Sequence, residues 1–141
     1  MYAEEDYPTV LDLSKEFFRN SIYKEAEMNE PFISSFLSSC IQPSDEYVAL
    51  VALDESKIVG VLCAFRSDMY TIKGTMTSEL FYYVDPNYKK TRTGYNLLQS
   101  YAYWSKDIAK ADYCKFGVLS DGSVKKLGFT LTEQAYIKRN I

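Results

Sequence analysis

The 141-residue sequence predicts one mixed α/β domain, and three observations predict it. Apolar residues recur at helical spacing through the first third. Three short runs of strand-forming residues follow. Then come a strand, a basic loop with a glycine, and a long amphipathic helix.

Asp6, with Pro8 inside the first turn, reads as a helix start. Val10, Leu11, Leu13, Phe17, Phe18 and Ile22 follow at helical steps, with Lys15, Glu16 and Arg19 between them. Asn29 and Pro31 repeat the signal. Phe32, Ile33, Phe36, Leu37, Cys40 and Ile41 form the second apolar stripe, and Pro43 stops it. Tyr47 to Leu53 and Ile58 to Phe65 are strands joined by the turn Asp54-Glu55-Ser56-Lys57. Their lack of polar alternation predicts a hairpin covered on both faces. After a polar connection, Met76 to Val84 is a third strand, closed by Asp85-Pro86-Asn87. The loop Tyr88 to Tyr95 opens a long helix carrying Leu97, Leu98, Tyr101, Trp104 and Ile108 on one side. Tyr113 to Val118 is a further strand, and Asp121-Gly122-Ser123 starts a short helix ending at Leu127-Gly128. Phe129 to Leu131 and Gln134 to Lys138 read as a closing pair of strands.

Composition removes whole classes of chemistry. There is no histidine, so Ser-His, Cys-His and His-metal mechanisms are excluded together. A general base near neutral pH must be a carboxylate held above its usual range, a water chain, or the substrate itself. Cys40, Cys63 and Cys114 are far apart and sit in apolar runs, which predicts buried small hydrophobes rather than a zinc or dithiol site. No apolar run is long enough for a spanning helix, and the acidic start Met1-Tyr2-Ala3-Glu4-Glu5-Asp6 is unlike a secretory leader; the expectation is a cytoplasmic protein. The net charge of −3 argues against binding a phosphate backbone.

The unit at 79–110 is the informative one. A strand, a turn with Lys89, Lys90, Arg92 and Gly94, and a helix start together make an anion site: unpaired amides, the positive end of the helix dipole, and a glycine allowing close approach. The plain structural reading is a solvated basic loop with a glycine at a tight turn. The loop is neither a Walker A motif nor a dinucleotide fingerprint.

The chain resembles the GNAT superfamily of acyl-CoA-dependent N-acyltransferases. The residues that carry the resemblance are AEEDYP (3–8), the hairpin YVALVALDESKIVGVLCAF (47–65), ELFYYVDPNYKKTRTGYNLL (79–98) and SVKKLGFTLTEQAYIK (123–138). The segment 79–98 looks most like small GNAT-like proteins encoded by bacteriophages. The resemblance implies a mixed, mostly antiparallel central sheet flanked by helices, with the first strand short or absent because Met1-Tyr2-Ala3 is too short for one. It implies acetyl-CoA as co-substrate. Of the pyrophosphate signature Arg/Gln-x-x-Gly-x-Gly/Ala, Lys89 holds the first position and Gly94 the last, while Arg92 stands where a glycine is usual. By resemblance, Tyr83 and Val84 offer backbone groups to pantetheine, and Lys89, Lys90, Thr91, Arg92, Thr93, Gly94 and Tyr95 hold the pyrophosphate.

The reaction so implied is direct attack of an amine on a thioester, which needs a base and some protonation of the leaving thiolate. Glu79 is the one carboxylate inside the central strand and the candidate base, directly or through water; its plain reading is a solvent-facing or ion-paired strand residue. Strict alternation places Glu79, Phe81 and Tyr83 on one face, and Ser78, Leu80, Tyr82 and Val84 on the other. A bulge, usual for the family, would change that phase. Val124 stands where many members carry an acid tyrosine; Tyr82, Tyr83 or Tyr136 are the substitutes, each with packing as its plain role. Ser120 and Ser123 are candidates for pantetheine, or, with Asp121, for helix capping.

The acceptor is an amine: a polyamine-like molecule, an amino acid, a protein lysine or terminus, or a modified nucleobase. Acidic Glu79, Asp68 and Asp85 favour a cationic one. Rival expectations are an inactive binding or inhibitory protein on the same fold, motivated by Arg92 and Val124, and a nucleic-acid binder built on Lys89, Lys90, Arg92 and the tyrosines. The open sheet edge leaves room for a homodimer.

Overall fold

The computed structural model describes residues 1–21, 23–117, 125–132 and 136–140. Its elements are α1 (Tyr7–Arg19), α2 (Glu30–Ser39), β1 (Tyr47–Asp54), β2 (Lys57–Asp68), β3 (Thr75–Val84), α3 (Thr93–Tyr103), continued by a π-helical turn over Trp104–Ile108, and β4 (Tyr113–Lys115). The strands form one sheet in the order β1-β2-β3-β4. β1, β2 and β3 are antiparallel neighbours, and β4 joins β3 in parallel.

β2 is the spine. Ile58 to Ala64 are all buried, as its unbroken apolar run predicted. Alternate residues serve opposite faces. Val61 and Cys63 pack with Val10 of α1 and Phe36 and Leu37 of α2. Leu62 and Ala64 pack with Leu97, Leu98, Tyr101 and Trp104. Three layers result, with the sheet in the middle.

Local signals act as read, with instructive exceptions. The Asn29 side chain accepts the Phe32 amide and caps α2. Asp6 does not cap α1: its carboxylate reaches back to the amide of Ala3 at 2.8 Å, fixing the short turn before the helix. Among the described residues the first strand is reduced to one backbone hydrogen bond, the Tyr2 amide donating to the Ala49 carbonyl on the outer side of β1, while the Tyr2 side chain packs into the core. Three expectations are corrected. Phe129 to Leu131 and Tyr136 to Lys138 form no strand. β4 stops at Lys115, two residues before the described segment ends at Gly117. Ile108 is 45% exposed, because the π turn inserts an extra residue and rotates it out of the stripe that keeps Trp104 buried. The readings that involve Val118, Ser120, Asp121, Ser123, Val124 and Gln134 lie outside the described residues.

Candidate active site

β3 decides which side chains meet. Its register with β2 runs Cys63↔Phe81 and then Ala64↔Glu79, so Leu80 is an extra, bulged residue. The bulge shifts the alternation. Thr77 and Glu79 before it, and Tyr82 and Val84 after it, face α3; Phe81 and Tyr83 pack toward α1. The strict alternation that joined Glu79 to Tyr83 is thereby corrected: Glu79 shares its face with Tyr82.

The same point splits the sheet. β3 and β4 pair only over Met76–Ser78 and Tyr113–Lys115. Beyond them no strand continues the ladder on that side of β3 among the described residues. The Glu79 carboxylate takes the place of the next rung, accepting the Gly117 amide at 2.9 Å. Burial holds its carboxyl above the ordinary carboxylate range, while the bond from Gly117 and the Lys115 charge pull the other way. Further along the fork, the Tyr82 ring meets Phe116 edge-on, 5.2 Å between centroids. Burial raises the Tyr82 phenol, so it keeps its proton at neutral pH. Its hydroxyl has no hydrogen-bond partner among the described residues.

That hydroxyl ends against the start of α3. A Cβ on Gly94 would lie 2.3 Å from it, so glycine is required there by Tyr82 itself. Around it, the Thr91 hydroxyl donates to the Tyr88 carbonyl at 2.6 Å and accepts the Thr93 amide at 3.2 Å. Asn96 reaches back to the Arg92 carbonyl. The amides of Arg92, Gly94 and Tyr95 have no acceptor among the described residues. Arg92 takes an ordinary backbone conformation, with φ −80, so the missing glycine costs no strain. Its guanidinium stacks on the Tyr95 ring, 5.0 Å from the centroid, instead of filling the turn. Lys89 and Lys90 are exposed, without an acidic partner within ion-pair distance among the described residues. Unpaired amides, a helix start and three cations make a cradle whose chemistry fits a diphosphate.

Other predicted residues lie elsewhere. The Tyr83 phenol faces α1, where Glu16 and Arg19 act on it. Tyr136 is 91% exposed and makes no described contact with Glu79 or Tyr82. Asp68, paired with Thr75, forms one end of the β2–β3 ladder and Asp85 follows the other end at Val84, so they do not form one acidic patch with Glu79. Asp85 instead accepts the Asn87 amide, and Asp54 accepts the Tyr88 hydroxyl. Gly117, Phe116 and Tyr101 escaped the sequence reading, since Phe116 and Gly117 sat inside a run read as plain strand.

The family model described as acetyltransferase (GNAT) family matches residues 7–125. The chain belongs to the GNAT family. Solved GNAT structures share the fold at low identity. AAC(6')-Iy, in complex with a bisubstrate analog, CoA-S-monomethyl-acetylneamine, superposes with TM-score 0.73 at 12% identity, over 99% of this chain and 95% of that one. The apo aminoglycoside 6'-N-acetyltransferase AAC(6')-IG from Acinetobacter haemolyticus gives 0.68 at 17%, over 99% and 96%. A GNAT family acetyltransferase from Staphylococcus aureus gives 0.67 at 16%, over 99% and 95%. A search of curated proteins finds no match. Among the described residues no helix is long and apolar enough to cross a membrane, and no cluster of metal-binding side chains occurs.

Proposed function

We propose that this GNAT protein transfers an acetyl group from acetyl-CoA to a primary amine by direct attack. The observation that carries the reading is the fork itself: the free amides of Arg92, Gly94 and Tyr95 lie on the turn where the Tyr82 hydroxyl ends, and Glu79 stands at the point where β3 and β4 part. Lys89, Lys90 and Arg92 add charge for the diphosphate, and the backbone of Tyr83 and Val84 lies on the strand that flanks the opening. Glu79 takes a proton from the acceptor's ammonium, directly or through water, and the neutral amine so formed attacks the thioester carbonyl. Tyr82, still protonated at neutral pH, offers its unpaired hydroxyl to the diphosphate turn, and the leaving thiolate takes up the proton released by the amine, so no separate acid is needed. The solved relatives described as aminoglycoside acetyltransferases support a polycationic amine as acceptor. The likeness of 79–98 to phage-encoded members supports action in a bacterial cytoplasm, by a single-domain chain.

The test has two stages. Saturating acetyl-CoA raises the melting temperature of the protein. Thiol release is then followed over a panel of polyamines, aminoglycosides, amino acids and lysine peptides. No shift with CoA removes the proposal. A shift without turnover on any amine favours the second reading, a binding protein on this fold, which the Tyr82–Phe116 contact across the fork also supports.

A further inference from the structure

A chain of buried hydroxyls runs behind the fork. Tyr101, Thr77 and Ser105 are each at most 2% exposed. The Tyr101 hydroxyl lies 2.7 Å from the Lys115 carbonyl and 3.2 Å from Thr77 Oγ1, and Thr77 Oγ1 lies 2.6 Å from Ser105 Oγ. Each hydroxyl has one proton, and a carbonyl can only accept. Tyr101 therefore donates to Lys115, Thr77 donates to Tyr101, and Ser105 donates to Thr77. The π turn makes this possible, because it brings Ser105 inward directly after the buried Trp104.

Lys115 is the last residue of the β3–β4 ladder. Two residues on, the Gly117 amide meets Glu79. Between them, the Phe116 ring packs on Tyr101, 6.2 Å between centroids. Tyr101 thus grips both residues that lead to Gly117.

We propose that Tyr101 is the positioning residue for Glu79: its hydroxyl fixes the Lys115 carbonyl, and through Phe116 this sets where Gly117 delivers its amide to the Glu79 carboxylate. The role rests on the acetyltransferase reading only for its catalytic consequence; the geometry itself is independent of it. The charged and titratable groups around Glu79 are Lys115 from β4 and Tyr101 from α3, with the Gly117 amide as the directional contact. Without the Tyr101 hydroxyl the Gly117 amide drifts, and the carboxylate loses the donor that favours its charged form.

The experiment is a carbon-13 titration of the glutamate carboxyls in the full chain, with Glu79 assigned through Glu79→Gln. In Tyr101→Phe the Glu79 midpoint moves upward by about half a pH unit or more, as expected for a lost amide bond to a carboxylate. In Thr77→Val, which leaves the Tyr101–Lys115 bond in place, the midpoint stays at the wild-type value. If Tyr101→Phe does not fold, 4-fluorophenylalanine at position 101 fills the space without donating and serves instead. An unmoved midpoint, or equal movement in the Thr77 and Tyr101 variants, overturns the proposal even where both lose stability. With an amine acceptor in hand, the acid limb of the rate profile follows the same shift at unchanged KM for acetyl-CoA. A chain that titrates as expected but transfers no acetyl group defeats the acetyltransferase reading and leaves the positioning role standing.

Discussion

Gly94→Ala tests why α3 opens on a glycine. The added Cβ would meet the Tyr82 hydroxyl at 2.3 Å, while the next neighbours, Tyr82 Cζ and Val84 Cγ2, stand at 3.6 and 3.8 Å, ordinary contact. The conflict is with a single oxygen. To restore a contact of about 3.4 Å the hydroxyl must retreat by about 1 Å, against a ring braced edge-on by Phe116. Such overpacking costs about 1–2 kcal/mol. Alanine in place of glycine in a helix contributes about 0.5–1 kcal/mol of stability. The single variant is therefore destabilised by between about 0 and about 1.5 kcal/mol, from these two magnitudes. In a Tyr82→Phe background the collision is absent, and the same alanine stabilises by about 0.5–1 kcal/mol. The coupling between the two sites is thus about 1–2 kcal/mol, within the range for residues in contact. Thermal denaturation of the four proteins closes the cycle; at this size 1 kcal/mol moves the melting temperature by about 3–4 °C. Equal effects of Gly94→Ala in both backgrounds would refute the reasoning and return the glycine to a role set by ligand approach alone.

Three further outcomes follow from the same coordinates. Because burial raises the Glu79 carboxyl, the native protein binds that proton more tightly than the unfolded chain, and stability falls as pH climbs from the ordinary carboxylate value, about 4.3, through the folded one. Glu79→Gln removes this loss, so its melting curve against pH separates upward from the wild type across that window; parallel curves contradict the assignment. Burial pushes the Cys40 thiol up to about 12 and the Cys63 thiol higher than its ordinary range, whereas Cys114 is only half-buried. Iodoacetamide at pH 8 without denaturant therefore gives a single adduct, on Cys114, read by peptide mass; modification of Cys40 or Cys63 counts against the packing described. Lys110 is exposed at φ 53, just past the π turn, so Lys110→Gly relieves a left-handed conformation. It raises stability by about 0.5–1 kcal/mol, seen as a higher melting temperature; a lower one shows that the strain is absorbed elsewhere.

The sequence made the layers legible because burial follows periodicity. The unbroken run in β2 and the three- and four-residue steps in α1 and α2 each report a packing surface directly. Asn29 and Pro31 marked the start of α2 for an equally local reason. The site was legible only in part. The basic turn was visible as composition, and Glu79 as a lone carboxylate in an apolar strand. The face it occupies was not, since one bulged residue inverts a period of two without leaving a mark in residue type. Gly94 was singled out for ligand approach, but its neighbour is Tyr82, twelve positions away, and no local pattern carries that contact. The π turn is hidden for the same reason, and with it the outward place of Ile108. Half-buried Phe129 and exposed Leu131 and Tyr136 to Lys138 read as strands because their residue types suit one, yet the described chain gives those segments no ladder to join.

The bulge at Leu80 gives the central strand one spare residue of length. Every point substitution in β3 leaves its odd and even positions where they are. Removing Leu80 would bring Phe81 directly after Glu79, still opposite Cys63 and Ala64, so the ladder would run without interruption and Phe81 and Tyr83 would keep their side of the sheet. Glu79 and Tyr82 would then share a face by ordinary alternation, so a one-codon deletion here costs the pair less than exchanging either residue.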